Sequence, residues 1–246
     1  MNQVGRNIRV FSDPEALSRA GAEFFLSSAL TAIRGKGRFS AVLSGGSTPR
    51  RLYRLLAMPE YSAQLPWEQI DLYWGDERCV PPEDGKSNFG MVCEELLSKI
   101  DIPAGNIHRM QGELNPEKGA RQYEKELRRY FSETGSDGLD LVLLGLGNDG
   151  HTASLFPRSA SLEEKDRLVV PAVSPQGIRR RLTLTLPLLN RSGAVLFLVS
   201  GKGKREPLNR VLQPGSVAEI PARGVRPLSG ELYWYIDRDA AGGKDG

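Results

Sequence analysis

The sequence predicts an α/β fold built on a mostly parallel sheet with helices on both faces. Three observations predict it. The runs Phe39–Leu43, Ile70–Trp74 and Ala194–Val199, and residues 139–144, are apolar nearly throughout rather than alternating, which implies burial on both faces of the sheet. Segments with apolar residues at helical spacing lie between such runs. Several runs also end in glycine-rich polar loops, and in sheets of this kind ligands bind beyond the carboxyl ends of the strands.

The elements follow in order. Ser12-Asp13-Pro14-Glu15 reads as a capping box, with Ser12 as N-cap and Glu15 three residues on. Leu17, Ala20 and Phe24 continue at helical spacing, and Gly35 and Gly37 stop that helix. After the strand Phe39–Leu43, Pro49 opens a helix carrying Leu52, Leu55 and Leu56 on one side. Ile70–Trp74 is the next strand. Phe89, Val92, Leu96 and Ile100 mark one helix, and Ala120, Tyr123, Leu127 and Phe131 another. Strands are expected at 139–144, 168–170, 182–186, 194–199 and 232–236, with a late helix holding Leu208, Val211 and Leu212. Residues 240–246 are small and polar and are expected to fray. No internal repeat and no Pro/Ser-rich linker divides the chain, and residues 81–85 form a loop, so one α/β domain over 1–246 is expected.

Composition narrows the function classes. With 39% hydrophobic and 26% charged residues, the chain is globular rather than disordered. The 33 basic and 30 acidic residues leave a net charge of only +3, which gives no footprint for a nucleic-acid partner. Two cysteines, Cys79 and Cys93, make neither a disulfide framework nor a zinc pattern. Residues 1–10 lack an apolar signal core, and no run approaches the roughly 18 apolar residues of a membrane span. A cytoplasmic protein with no membrane partner is expected. No metal-ligand spacing occurs, so no metal is expected. The sequence carries no signature of an oligomeric state.

Three loops at strand ends could carry chemistry. Ser44-Gly45-Gly46-Ser47-Thr48-Pro49 joins a strand to a helix. Gly45 and Gly46 permit close approach of an anion, Ser47 and Thr48 can donate, and the helix N-terminus favours phosphate. The same run also reads as an ordinary glycine turn with a Thr cap. It lacks the GK[ST] ending of a Walker loop. Gly145-Leu146-Gly147-Asn148-Asp149-Gly150-His151 contains GxGxxG, yet Pro157 follows too soon for a helix and no ribose-binding acid follows a later strand. A dinucleotide site is therefore not expected. His151 is one of only two histidines, and its place beyond a buried strand, behind Asp149 and Gly150, suits a general base or a satisfied structural histidine. His108 has no such setting and reads as structural. Trp74-Gly75-Asp76-Glu77-Arg78 could bind polar substrate groups or form a salt-bridged cluster. Arg179-Arg180-Arg181 precedes one strand, and Gly201-Lys202-Gly203-Lys204 follows another, where an anion role is favoured. No serine sits in a GxSxG elbow.

These residues resemble the 6-phosphogluconolactonase family. The resemblance is carried, in order, by SGGSTP at 44–49, Asp76-Glu77-Arg78 with Ser87-Asn88-Phe89-Gly90, and GNDGHTASLFP at 147–157. Arg181-Leu182-Thr183-Leu184-Thr185, Gly201-Lys202-Gly203-Lys204, Val225-Arg226-Pro227 and Trp234-Tyr235-Ile236-Asp237 continue it. It runs over about residues 9–240, and DGHTASLFP is its most specific part. It implies a doubly wound α/β fold, no cofactor, and a sugar-phosphate lactone as substrate: 6-phospho-D-glucono-1,5-lactone, hydrolysed in the oxidative pentose phosphate pathway. His151 matches the family's proposed general base. Asp149 is expected to orient it or to contact the sugar. Gly45, Gly46, Ser47, Thr48, Arg78, Arg181 and Lys204 fall at sugar-phosphate positions. Lys204 fits the family spacing better than Lys202, whereas Arg205 and Pro207 depart from the pattern.

Two other functions are open on sequence. A glucosamine-6-phosphate deaminase shares the DGH element, but that family places an acid in the stretch that here reads Ser154-Leu155-Phe156-Pro157, and a tyrosine where Arg78 stands. A non-catalytic sugar-phosphate sensor would keep the anion loop and have no need of His151.

Overall fold

The computed structural model describes residues 6–243. The chain runs β1 (Arg6–Phe11), α1 (Pro14–Lys36), β2 (Phe39–Leu43), α2 (Ser47–Leu56), α3 (Pro59–Ser62), β3 (Ile70–Trp74), β4 (Asp76–Arg78), α4 (Asn88–Glu95) and β5 (Ile107–His108). It continues through α5 (Pro116–Thr134), β6 (Leu141–Leu144), β7 (Val169–Val173), β8 (Arg180–Leu184), α6 (Leu186–Leu189), β9 (Ala194–Val199), α7 (Arg205–Leu212), β10 (Glu231–Asp237) and α8 (Arg238–Ala241).

Seven strands form a wholly parallel sheet in the order β1-β10-β9-β6-β2-β3-β5. Every residue of β2, β3 and β6 is buried, as strands covered on both faces must be. Phe197 and Trp234, register partners on β9 and β10, stack with ring centroids 3.9 Å apart. From β2 the chain moves through β3 towards β5. From β6 it moves through β9 to β10, in the opposite direction. β2 and β6 are neighbours, so the strand order reverses between them. That is the doubly wound arrangement, and the crevice beyond their carboxyl ends is where such a sheet binds ligands.

The strands expected at 168–170 and 182–186 lie outside this sheet. They are β7 and β8, which join β4 in a separate antiparallel sheet ordered β4-β8-β7. Several expectations at element ends need correction: α4 stops at Glu95, short of Leu96 and Ile100, and Leu186 opens α6 instead of ending β8. The N-cap of α1 is Asp13, not Ser12: with Pro14 at the first helical position, the Asp13 Oδ1 accepts from the Glu15 and Ala16 N–H groups, and Ser12 Oγ donates to Asp13. Gly35 stays inside α1, which ends where Gly37 adopts φ +80°. Residues 240 and 241 are helical rather than frayed, and Ala240 is wholly buried because α8 packs back on the fold. Residues 244–246 of the expected tail, like residues 1–5 of the leader reading, lie outside the described residues.

His108 lies in the core. Its Nε2 is 3.0 Å from Asp71 Oδ1 and its Nδ1 2.7 Å from Glu126 Oε1, and its ring stacks on Tyr73 at 4.3 Å. Burial disfavours the imidazolium, but the two carboxylates outweigh it and hold its pKa above the usual histidine value. Among the described residues no helix is long and apolar enough to cross a membrane.

Candidate active site

A cavity of about 560 Å³ opens beyond the ends of β2 and β6. Gly45, Gly46, Ser47, Thr48, Arg78, Asp149, His151, Arg181 and Lys204 all line it. The sequence thus nominated residues that the fold gathers in one place, from loops after β2, β6 and β9 and from the antiparallel β4–β8 pair.

The loop after β2 is fixed at its root. The hydroxyl of buried Tyr53 accepts from the Ser44 N–H at 2.9 Å and donates to the Ser44 carbonyl at 2.8 Å. Gly45 packs against Asn88, and a Cβ there would fall 1.9 Å from Asn88 Oδ1. Gly46 adopts φ +113°, a region that favours glycine. No side chain caps α2, so its first-turn N–H groups face the cavity with the dipole's positive end. Tyr53→Phe strands the buried Ser44 amide and is expected to cost about 1–3 kcal/mol of stability, read by urea denaturation. Unchanged stability would contradict this role.

The DER segment forms β4 and divides its tasks. The buried Glu77 carboxylate accepts from the N–H groups of Arg78, Asn88 and Phe89 and from Ser87 Oγ. Burial pushes its pKa up despite these donors. Glu77 therefore caps α4 and fixes Asn88, rather than forming the salt-bridged cluster or the substrate contact considered from sequence. Asp76 faces the cavity, accepting from Ser154 Oγ at 2.6 Å and Asn88 Nδ2 at 3.1 Å. Arg78 and Arg181 are register partners across the antiparallel pair. Arg78 donates to the Lys86 carbonyl and Arg181 Nε to the Ile178 carbonyl. Among the described residues neither has an ion-pair partner. Burial, then the neighbouring Arg78 charge, lowers the Arg181 pKa. Asp76 and Glu77 lie near enough to oppose that lowering, but two adjacent guanidinium groups with no ion-pair partner favour an anionic ligand.

The loop after β6 closes on itself. Gly147 N–H donates to the His151 carbonyl at 2.8 Å, Gly150 N–H to the Gly147 carbonyl at 3.0 Å, and Thr152 Oγ1 to the Gly145 carbonyl at 2.9 Å. No helix follows it directly, so the GxGxxG pattern does not open the helix that a dinucleotide fingerprint requires. His151 Nδ1 is 2.5 Å from Asp149 Oδ1, which also accepts the His151 N–H at 3.0 Å. Burial raises the Asp149 pKa, but its bonds to the imidazole and the backbone outweigh that and hold it below the usual carboxylate value. An ionised Asp149 can only accept, so the Nδ1 proton points to it, and in the neutral imidazole Nε2 carries the lone pair. The ring rests beside Phe156 and over Gly147, where a Cβ would lie 2.1 Å from Nδ1. Ala153 on the cavity wall has φ +48°, an uncommon backbone state for a residue with a Cβ.

Lys204 completes the wall. Its Nζ donates to Asn148 Oδ1 at 2.7 Å. Burial lowers its pKa, and the Asp149 charge opposes this. Lys202 is exposed and does not line the cavity. The two sequence departures are absorbed: α7 starts at Arg205, and Pro207 sits in its first turn, where no N–H bond is lost. Among the described residues no group of three or more His, Cys, Asp or Glu side chains could hold a metal ion. Sequence reasoning offered Asp76 only as one of two acids in a strand-end segment, and it gave Asn88, Asn148 and Ser154 no site role. All four lie in segments that carry the family resemblance, but their contacts depend on segments far apart in the chain.

A family model described as glucosamine-6-phosphate isomerases/6-phosphogluconolactonase matches residues 12–234. A 6-phosphogluconolactonase from Nostoc sp. is 39% identical, over 96% of this chain and 97% of its own length. One from Synechocystis sp. is 43% identical, over 85% of this chain and 86% of its own. The crystal structure of a 6-phosphogluconolactonase from Thermotoga maritima superposes with a TM-score of 0.81 at 33% identity, covering 95% of this chain and all of that one. On its fold, its cavity and these matches, the chain belongs to the glucosamine-6-phosphate isomerase/6-phosphogluconolactonase family.

Proposed function

We propose that the chain hydrolyses 6-phospho-D-glucono-1,5-lactone to 6-phospho-D-gluconate, as a single α/β domain acting on a sugar phosphate in the cytoplasm within the oxidative pentose phosphate pathway. The observation that carries this reading is the Asp149–His151 pair, with Nδ1 bonded to the carboxylate, in a cavity that also holds Arg78, Arg181, Lys204 and the uncapped start of α2.

The phosphate is held by this cationic side of the cavity. His151 Nε2 takes a proton from a water molecule, whose oxygen attacks the lactone carbonyl carbon. A cation or backbone N–H groups at the cavity wall stabilise the oxyanion. When the ring C–O bond breaks, Nε2–H returns the proton to the departing ring oxygen, giving the open hydroxyl and a carboxylic acid, which releases its proton to solvent as the carboxylate. Asp149 keeps the Nδ1 proton in place and stabilises the imidazolium while it lasts.

The phosphate reading makes a direct comparison decisive. Each charge-assisted hydrogen bond contributes about 1.5–3 kcal/mol, so kcat/KM for the phosphorylated lactone should exceed that for unphosphorylated gluconolactone by at least about a hundredfold. Equal activity on the two would remove the phosphate anchor. Arg181→Ala should raise KM about ten- to a hundredfold while leaving kcat within a few fold, because the phosphate is present in ground and transition states alike. An unchanged KM with collapsed turnover would place Arg181 in the chemical step instead.

A further inference from the structure

The WYID segment at 234–237 carries family resemblance but takes no part in the cavity. Its last residue, Asp237, ends β10 and is wholly buried. Among the described residues no cation pairs with it. Both its carboxylate oxygens accept from the Gly201 N–H at 3.0 Å, and Oδ1 also accepts from the Ala240 N–H at 2.8 Å. Gly201 is the point at which the chain leaves β9: its φ is +97°, a region that favours glycine, and a 3-10 turn over Lys202–Lys204 begins beyond it. The Lys204 N–H closes that turn on the Gly201 carbonyl at 2.9 Å. Lys204 then reaches across to Asn148, the residue before Asp149.

A buried carboxylate with only N–H partners is costly to keep unless those bonds are well made. Capping α8, a helix of only four residues, uses one of them. The doubled contact to Gly201 serves the turn that sets Lys204.

We propose that Asp237 is a positioning residue that, through Gly201, holds the turn presenting Lys204 to the substrate's anionic group. The proposal rests on the reading of Lys204 as a substrate-facing cation. The coupling is steric and directional. Without the carboxylate the Gly201 N–H loses its buried acceptor, the turn relaxes, and the Lys204 ammonium moves towards solvent.

The test uses the full chain and two readouts. Steady-state kinetics on the phosphorylated lactone would compare wild type, Lys204→Ala, Asp237→Ala and the double variant. Asp237→Ala should raise KM about tenfold with kcat within about threefold, the pattern of lost uniform binding. The double variant should be no worse than Lys204→Ala alone, since residues acting as one unit are not additive. Additive losses, or a normal KM in Asp237→Ala, would overturn the proposal. The second readout needs no sugar phosphate: NMR titration of lysines carrying ¹³C-methyl labels. In wild type one lysine should titrate below the rest, and Lys204→Ala should remove that signal. In Asp237→Ala the signal should move up to join the solvent lysines. Its staying low would overturn the proposal whatever the enzyme acts on, whereas its moving in a chain inactive on the lactone would fault the functional reading alone. If Asp237→Ala does not fold, Asp237→Asn keeps one carbonyl acceptor and should show smaller shifts in the same direction. No shift in that variant would be equally fatal.

Discussion

His151→Asn is expected to lower kcat for lactone opening by about 10²–10⁴-fold, the usual contribution of a positioned general base. The argument is geometric. Nδ1 is committed to Asp149 at 2.5 Å, so Nε2 is the ring's only basic atom, and the ring lines the same cavity as the cationic residues. Asparagine keeps size and polarity but has no basic nitrogen. Binding of the product 6-phosphogluconate should change little, because the α2 N-terminus, Arg78, Arg181 and Lys204 are untouched. A folded His151→Asn enzyme with near-normal turnover would mean that another group is the base. Asp149 would then be the next to test. Glu77 is a poor substitute, since four donors already occupy its carboxylate.

Gly147→Ala is expected to cost on the order of 10²-fold in kcat without touching any reacting atom, a size known for misplacements near 1 Å. The added Cβ would stand 2.1 Å from His151 Nδ1 and 2.3 Å from Cε1. The backbone at Gly147 is not in the left-handed region, so alanine is locally allowed and the chain should fold. What must move is the imidazole, which loses either its bond to Asp149 or its aim into the cavity. Measured against this, Gly145→Ala is a control: a Cβ there meets nothing within 4 Å. Equal kinetics for the two variants would contradict the packing account of the histidine loop.

Much of the fold was legible because its central strands advertise themselves. β2, β3 and β9 have the bounds expected from continuous apolar runs, since burial on both faces leaves no polar register to blur them. The missing strands lack that signal. β1 is a sheet edge whose Ile8 and Val10 are exposed, β4 is the polar tripeptide Asp76-Glu77-Arg78, and β5 has only two residues. The antiparallel sheet was illegible because its pairing joins β4 to a strand far along the chain. That pairing sets Arg78 beside Arg181, and no local pattern could have announced it.

The candidate site was legible to the same degree. Glycine loops at the ends of β2 and β6 pointed to the crevice, and the His151 setting needed only its neighbours Asp149 and Gly150. The role of Glu77 was not readable. A carboxylate beside an arginine suggests an ion pair, yet its four donors are backbone N–H groups and a serine hydroxyl. The choice between Lys202 and Lys204 was also beyond spacing alone, because it depends on the turn at Gly201 and on where Asn148 lies.

The central claim is lactone hydrolysis at this cavity, and one measurement addresses it most directly. Purified chain is mixed with 6-phospho-D-glucono-1,5-lactone at fixed pH, acid release is followed, and spontaneous opening is subtracted; ammonia release from glucosamine 6-phosphate is followed in parallel with the same preparation. The account predicts saturable lactone opening well above background, abolished to within a few per cent by His151→Asn, and no ammonia. Ammonia release with lactone opening at the spontaneous rate would contradict it and assign the cavity to deamination.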